Sequence, residues 1–272
     1  MPQRSVFRYP GGKTWLVPQL RAWLGSLPAR PKLLVEPFAG GGIIGLTAVA
    51  EGLVDRAILV ELDPNVAAVW EVLINGDAER LARRIEKFEF TEANVRAELA
   101  RTVRSDVSLA FQTILRNRAQ RGGIMAPGAG LMKAGENGKG MASRWYPETL
   151  GRRIRAIVEY RDKIDFINGD GLAVMAAHTK ERNTVLFVDP PYTAGGKSAG
   201  SRLYETCDLD HNRLFQLAQK HKGDLLLTYD NALEVRGLAA QHGLIVRPIA
   251  MKSTHNAEMA ELLIGRNLSW VL

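Results

Sequence analysis

The stretch VLFVDPPYTAGG, residues 185–196, sets an acidic residue, two prolines and an aromatic directly after an apolar run. Proline stiffens a backbone and carries no N–H, so what Asp189, Pro190, Pro191 and Tyr192 offer is acceptors beside a flat ring. The Asp189 carboxylate and the Pro190 carbonyl can accept the two hydrogens of an exocyclic amine while its ring stacks on Tyr192. The lone pair of such an amine is delocalised. Two acceptors draw the nitrogen toward a tetrahedral shape and stabilise the positive charge that grows as it attacks a sulfonium methyl group. Holding nitrogen, methyl and sulfur in line supplies the rest. The proton can leave after attack, so Asp189 need not be a full base beforehand, and no metal is required.

A second element, EPFAGGGIIG at residues 36–45, contains Gly40-x-Gly42-x-x-Gly45 at the end of a short apolar run. Glycines there let a chain turn tightly and let a ligand lie against the backbone. Glu61 follows at the end of the next apolar run, at the distance where a carboxylate accepts the ribose hydroxyls of an adenosine. This serves a nicotinamide dinucleotide and S-adenosylmethionine equally well, and a tight strand–helix turn alone would also explain the glycines. Phe38, just before the turn, can pack against the ligand. Phe38, Gly40, Gly42, Glu61 and Asp189 are therefore candidate cofactor contacts.

These residues need a scaffold that brings strand ends together. KLLVEPF (32–38) and RAILVELDPN (56–65) read as strands, each followed by a helical pattern, so residues 32–75 form a strand–helix–strand–helix unit. FINGD (166–170), TVLFVDPPY (184–192), DLLLTYDN (224–231) and LIVRPIAM (244–251) supply further strands, and AELLIG (260–265) with LSWVL (268–272) can close the sheet as an antiparallel hairpin. The expected fold is α/β, a Rossmann-like doubly wound sheet. Residues 1–75 and 164–272 make the catalytic domain, and 76–163 is a helical, basic insertion.

The chain has 272 residues and a formal net charge of +7, with 46% apolar and 24% charged residues, which suits a globular protein with a sizeable core. The excess charge sits in the middle third: residues 96–163 hold 14 Lys or Arg against 6 Asp or Glu. That clustering fits a polyanion partner, while a solvated basic surface is the plainer alternative. Residues 116–146 interleave Arg116, Arg118, Arg121, Lys133, Lys139 and Arg144 with seven glycines and one acid, Glu136. Most of these cations are expected on phosphates and a few on base edges. The single cysteine, Cys207, excludes a disulfide within the chain and suits a reducing cytoplasm. The five histidines lack metal-ligand spacing, and neither a membrane span nor a signal-peptide core is legible.

DPPY, EPFAGGG and the N-terminal RYPGGK, in this order over nearly the whole chain, resemble the Dam-type, D12 class adenine-N6 DNA methyltransferases. The resemblance implies S-adenosylmethionine as cofactor and double-stranded DNA as partner, with Tyr9 and Lys13 touching the methyl donor. Asp170 in INGDGL would face the donor's adenine, and Glu61 stands where the family usually has Asp, with Asp63 two residues on. KSTHNAEMAELLI resembles the C-terminal hairpin segment. Asn117-Arg118 resembles the element that opens the target-recognition region. The FNVPFG-like stretch of GATC-specific members has no match, so the likeness extends to the chemistry and not to a target sequence. The resulting expectation is a cytoplasmic, site-specific adenine-N6 DNA methyltransferase of the restriction-modification kind, monomeric or homodimeric. RNA adenine-N6 and DNA cytosine-N4 methyltransferases are the nearest alternatives. A nicotinamide-dependent dehydrogenase would leave DPPY unexplained, and a non-catalytic nucleic-acid binder would leave the donor site unexplained.

Overall fold

Along the central strands, neighbouring side chains alternate between two buried faces. Leu34, Leu59, Val185, Phe187, Leu226 and Leu263 pack to one side, and Val35, Ile58, Val60, Leu186, Leu227 and Leu262 to the other. The computed structural model describes residues 3–8, 12–120, 130–132, 140–191, 209–252 and 258–271, with the backbone alone for 251, 252, 258 and 259. Its strands are β1 Leu33–Glu36, β2 Arg56–Glu61, β3 Ile164–Asn168, β4 Thr184–Val188, β5 Leu225–Asp230, β6 Ile245–Lys252 and β7 Glu258–Gly265. They form one seven-stranded sheet in the order β3-β2-β1-β4-β5-β7-β6. The first five are parallel, and β7 runs antiparallel to both β5 and β6. This is a doubly wound, Rossmann-like sheet with helices on both faces.

The order reverses between β1 and β4, which opens a crevice at their carboxyl ends. The chain leaves β1 through α2 (Ile43–Ala50) toward β2 on one side, while β4 lies on the other. Helix α1 (Val17–Gly25) and α3 (Pro64–Ile74) cover the same face as α2, with Trp23 and Trp70 fully buried there. The opposite face carries α8 (Gly171–Ala177), α9 (His211–Lys220) and α10 (Leu233–Gln241). Several helix starts are set by side-chain caps. Asp63 accepts from the amides of Asn65 and Val66 ahead of Pro64, and Asp170 and Asp210 cap α8 and α9 in the same way.

Between β2 and β3 lie α4 (Ala78–Lys87), α5 (Glu92–Leu99), α6 (Asp106–Ala119) and α7 (Pro147–Val158). Their apolar residues join the core on the α3 side, and Phe88, Phe90, Phe111 and Trp145 pack ring against ring, with centroids 4.9–6.5 Å apart. Several arginines of this segment are already paired. Arg84 and Arg101 meet Glu98, Arg96 meets Glu92, and Arg155 clamps α7 to Glu79 and Glu86 of α4. Local pairing thus absorbs part of the basic excess of residues 96–163.

One strand expectation is corrected. The antiparallel partner of AELLIG is β6, and residues 268–271 form no strand. Asn267 explains this: its side chain accepts the Ser269 amide and its carbonyl the Trp270 ring N–H, turning the chain after β7.

Candidate active site

A cavity of about 1030 Å³ opens at the carboxyl ends of β1, β2 and β4. Its walls bring together Lys13, Phe38, the Gly40–Gly42 turn, Glu61, Asp170, Asp189 and Pro191. These residues come from segments far apart in sequence, gathered by the strand order. Pro190 is buried behind this wall. Tyr9 and Tyr192 lie outside the described residues, as do Arg121, Lys133 and Lys139.

The turn after β1 is fixed by close packing. Gly42 has φ +60°, and a Cβ there would stand 2.6 Å from the Trp70 ring. A Cβ on Gly45 would lie 2.5 Å from Leu59 and 2.8 Å from the Glu36 carboxylate, so the third glycine lets α2 press onto the sheet. The Trp70 ring N–H donates to the Gly40 carbonyl at 2.9 Å, which holds the outer edge of the turn.

Two carboxylates organise this turn. Glu36, at the end of β1, accepts the Gly45 amide at 2.7 Å and is fully buried, which pushes its carboxyl up to about 8. Glu61 accepts the Gly40 amide through Oε2 at 3.0 Å, and the Leu62 and Asp63 amides through Oε1 at 2.9 Å each. Burial pushes Glu61 up to about 7. Backbone amides thus take three of its roughly four lone-pair directions, and the carboxylate stands on the cavity wall as a hinge between the glycine turn and the end of β2.

The raised Glu36 carboxyl has a consequence for stability. A carboxyl whose folded value lies above its unfolded one contributes stability that is complete below the ordinary carboxylate range and lost as pH rises through about 8. The melting temperature is expected to fall between about pH 5 and pH 8.5, and Glu36→Gln to flatten the part of that slope above about pH 7. Glu61 and Glu261, both pushed up to about 7, add to the slope of Glu36 in the earlier part. A slope equally steep in the variant would show that Glu36 is not the group responsible.

Asp170 caps α8 through the Leu172 amide at 2.8 Å, so its structural duty coexists with its place on the cavity wall beside Phe38. Asp189 follows β4, and its Oδ1 accepts the Thr228 hydroxyl at 2.7 Å and lies 3.1 Å from Lys13 Nζ. Lys13 sits in a single 3-10 turn, 4% exposed, and also donates to Glu261 of β7 at 3.3 Å. The two carboxylates raise the Lys13 ammonium against the opposing effect of its burial.

Sequence reasoning missed Glu36, Thr228 and Glu261 as site residues. A lone acid within the apolar run MAELLIG and the threonine that ends the apolar run of DLLLTYD were the available signals for Glu261 and Thr228.

Of the recognition cations within the described residues, Arg118 is placed differently from expectation. Arg118 is 5% exposed and donates to the Val6 carbonyl at 2.5 Å. Burial, with Arg153, Arg8 and Arg144 nearby, lowers its guanidinium to about 10. This corrects the picture of Arg118 as a solvent-facing contact to a nucleic acid. Its neighbour Asn117 accepts the Arg8 amide and donates to the Arg8 carbonyl, each at 2.8 Å. The Asn-Arg pair therefore fastens the N-terminal segment, and with it the approach to Lys13, onto α6. Arg116 and Arg144 are half-buried, reaching Gln112 and the Gln120 carbonyl.

Among the described residues no group of three His, Cys, Asp or Glu is placed to hold a metal, and no helix is long and apolar enough to cross a membrane. No curated protein matches the chain in sequence. Among solved structures, the chain is similar to the rRNA methyltransferase AviRa from Streptomyces viridochromogenes, at 15% identity and a TM-score of 0.42, covering 95% of this chain and 86% of that one. It is also similar to precorrin-6y C5,15-methyltransferase from Geobacter metallireducens, at 9% identity and a TM-score of 0.39, covering 97% of each. The motif resemblance is borne out from the N-terminal element through the glycine turn to the helices beyond it: residues 9–114 match the D12 class N6 adenine-specific DNA methyltransferase family.

Proposed function

We propose that this protein transfers a methyl group from S-adenosylmethionine to the N6 amine of an adenine turned out of double-stranded DNA. The observation that carries this reading is one cavity shared by the glycine turn, Glu61 and the Asp189 carboxylate. The donor set suits the cofactor. Glu61 provides carboxylate acceptors for ribose hydroxyls, Phe38 an apolar face for the adenine, and Asp170 an acceptor beside it. Lys13 and Tyr9 complete the donor contacts on the N-terminal side. The bound cofactor supplies an electrophilic sulfonium methyl group and leaves as a neutral thioether.

The rest of the chemistry belongs to the chain. Asp189 and the Pro190 carbonyl accept the two amine hydrogens, Pro191 keeps the segment stiff, and Tyr192 stacks on the base. A stacked adenine cannot present its amine to a closed cavity, so the base must leave the duplex. The helical segment 76–163 supplies target recognition beside the catalytic domain of 1–75 and 164–272. Its phosphate and base contacts come from Arg116, Arg121, Lys133, Lys139 and Arg144, with Arg118 bracing the segment from inside.

The deciding measurement is transfer of tritiated methyl from S-adenosylmethionine to duplex DNA, to RNA and to neither. Label in DNA, recovered as N6-methyladenine, is expected. Label in RNA alone would move the substrate assignment, label on cytosine N4 would move the target atom, and tight binding of a nicotinamide dinucleotide in place of the donor would overturn the reading.

A further inference from the structure

The Asp189 carboxylate must be cleared of the proton it receives before the next turnover, and the cluster around it shows a route. Lys13 Nζ stands between two carboxylates, 3.1 Å from Asp189 Oδ1 and 3.3 Å from Glu261 Oε1. Lys13 and Glu261 are 4% and 3% exposed, so the pair has little contact with water beyond the edge of Lys13 that lines the cavity. Among the described residues, Glu261 Oε2 is buried without a hydrogen-bond partner. An ionised carboxylate with an unsatisfied buried oxygen is costly, and protonation removes the charge that makes it so.

We propose that Glu261 is the final proton acceptor of the methyl-transfer site, loaded from Asp189 through the Lys13 ammonium. The inference rests on the methyltransferase reading above. On taking the methyl group, the amine nitrogen becomes positive. One N–H proton then passes to the Asp189 carboxylate and the electron pair of that bond stays on nitrogen. Lys13 gives an ammonium proton to Glu261 and takes up the one held by Asp189. At the end Asp189 is again a carboxylate, Lys13 is again an ammonium and Glu261 is a neutral acid, which returns its proton through Lys13 and the 24% exposed Asp189 to water once the product has left. Burial pushes the Glu261 carboxyl up to about 7, which makes it a competent sink. The groups that face this route are Lys13 in the N-terminal turn, Asp189 after β4, Thr228, Tyr229 and Asp230 on β5, and Glu36 at the end of β1. Thr228 anchors Asp189 Oδ1 and carries no proton of the route.

The test combines turnover with a spectroscopic titration of the full-length protein. In the wild type, kcat is expected to rise with pH through about 7, as Glu261 becomes free to accept. Glu261→Gln should lose that rise and lower kcat on the order of a hundredfold, the lower end of what a positioned acid–base group supplies. Donor affinity, read by calorimetry, should change little. Infrared spectra of the donor-free protein should show protonated-carboxyl absorption that fades through about pH 7 to 8, and the difference between wild type and Glu261→Gln should be one carboxyl's band fading through about pH 7, with the bands of Glu61 and Glu36 left in the variant. Lys13→Met should move that fading to higher pH. Should Glu261→Gln fail to fold, Glu261→Asp must shift the midpoint of both profiles. Wild-type kcat with its pH rise intact in Glu261→Gln, an unchanged infrared band, or an unshifted Glu261→Asp midpoint would each overturn the inference. If the wild type transfers no methyl group at all, the reading of the site fails and this inference with it. If the wild type transfers and only the Glu261 variants behave normally, the inference alone fails.

Discussion

Asp189→Ala is expected to lower methyl transfer on the order of 10³–10⁴-fold while the protein still folds and still binds the donor. The loss is large because Asp189 is proposed to act twice, accepting one amine hydrogen as charge develops and taking the proton afterwards. The fold tolerates the change because Asp189 sits at the mouth of the cavity, its side chain 24% exposed. Lys13 keeps Glu261 as a counter-charge, and the Thr228 hydroxyl loses one acceptor, which together cost about 1–3 kcal/mol. Asp189→Asn is not a rescue. Its amide nitrogen would meet either the Lys13 ammonium or the amine of the base, a donor against a donor. Single-turnover transfer from pre-bound donor, alongside the melting temperature, checks this. Near-wild-type transfer in Asp189→Ala would sink the paired-acceptor mechanism.

Glu61→Ala is expected to weaken donor binding on the order of tenfold, since the one hydroxyl bond that its remaining lone-pair direction can accept, at about 1.5 kcal/mol, is lost. The structure adds a second cost. Glu61 also holds the Gly40, Leu62 and Asp63 amides, so the alanine variant should melt several degrees lower. Glu61→Gln does not restore the site, because one end of its amide must turn N–H groups toward backbone N–H groups on the Gly40 or the Asp63 side. Calorimetry with S-adenosylmethionine and a thermal melt, run on both variants, separate the two effects. Wild-type affinity in Glu61→Ala would remove Glu61 from the donor site.

Much of this was legible without coordinates. Strand and helix types follow from local periodicity and turn chemistry, because a run such as RAILVELDPN carries its own alternation, stop signal and cap. The glycine turn, Glu61 and DPPY each sit within one short segment, so a reader of the chain finds them and places them at strand ends. The AELLIG strand was legible in the same way, but its partner was not. Whether 245–252 or 268–272 pairs with it depends on Asn267, whose bonds to Ser269 and Trp270 turn the chain away.

The site's wiring is a matter of tertiary structure. Lys13 and Glu261 lie 248 positions apart and meet only because β7 inserts antiparallel beside β5, bringing Glu261 to the end of β4. Thr228 reaches Asp189 for the same reason. Arg118 shows the converse. Its sequence surroundings, glycine-rich and basic, suit a surface cation, yet packing of the N-terminal segment on α6 buries it against the Val6 carbonyl. Residue types and spacing determined which chemistry the chain carries. Strand order and burial decided which charges face one another, because pairing across a sheet and loss of water are properties of neighbours in space that sequence separation does not encode.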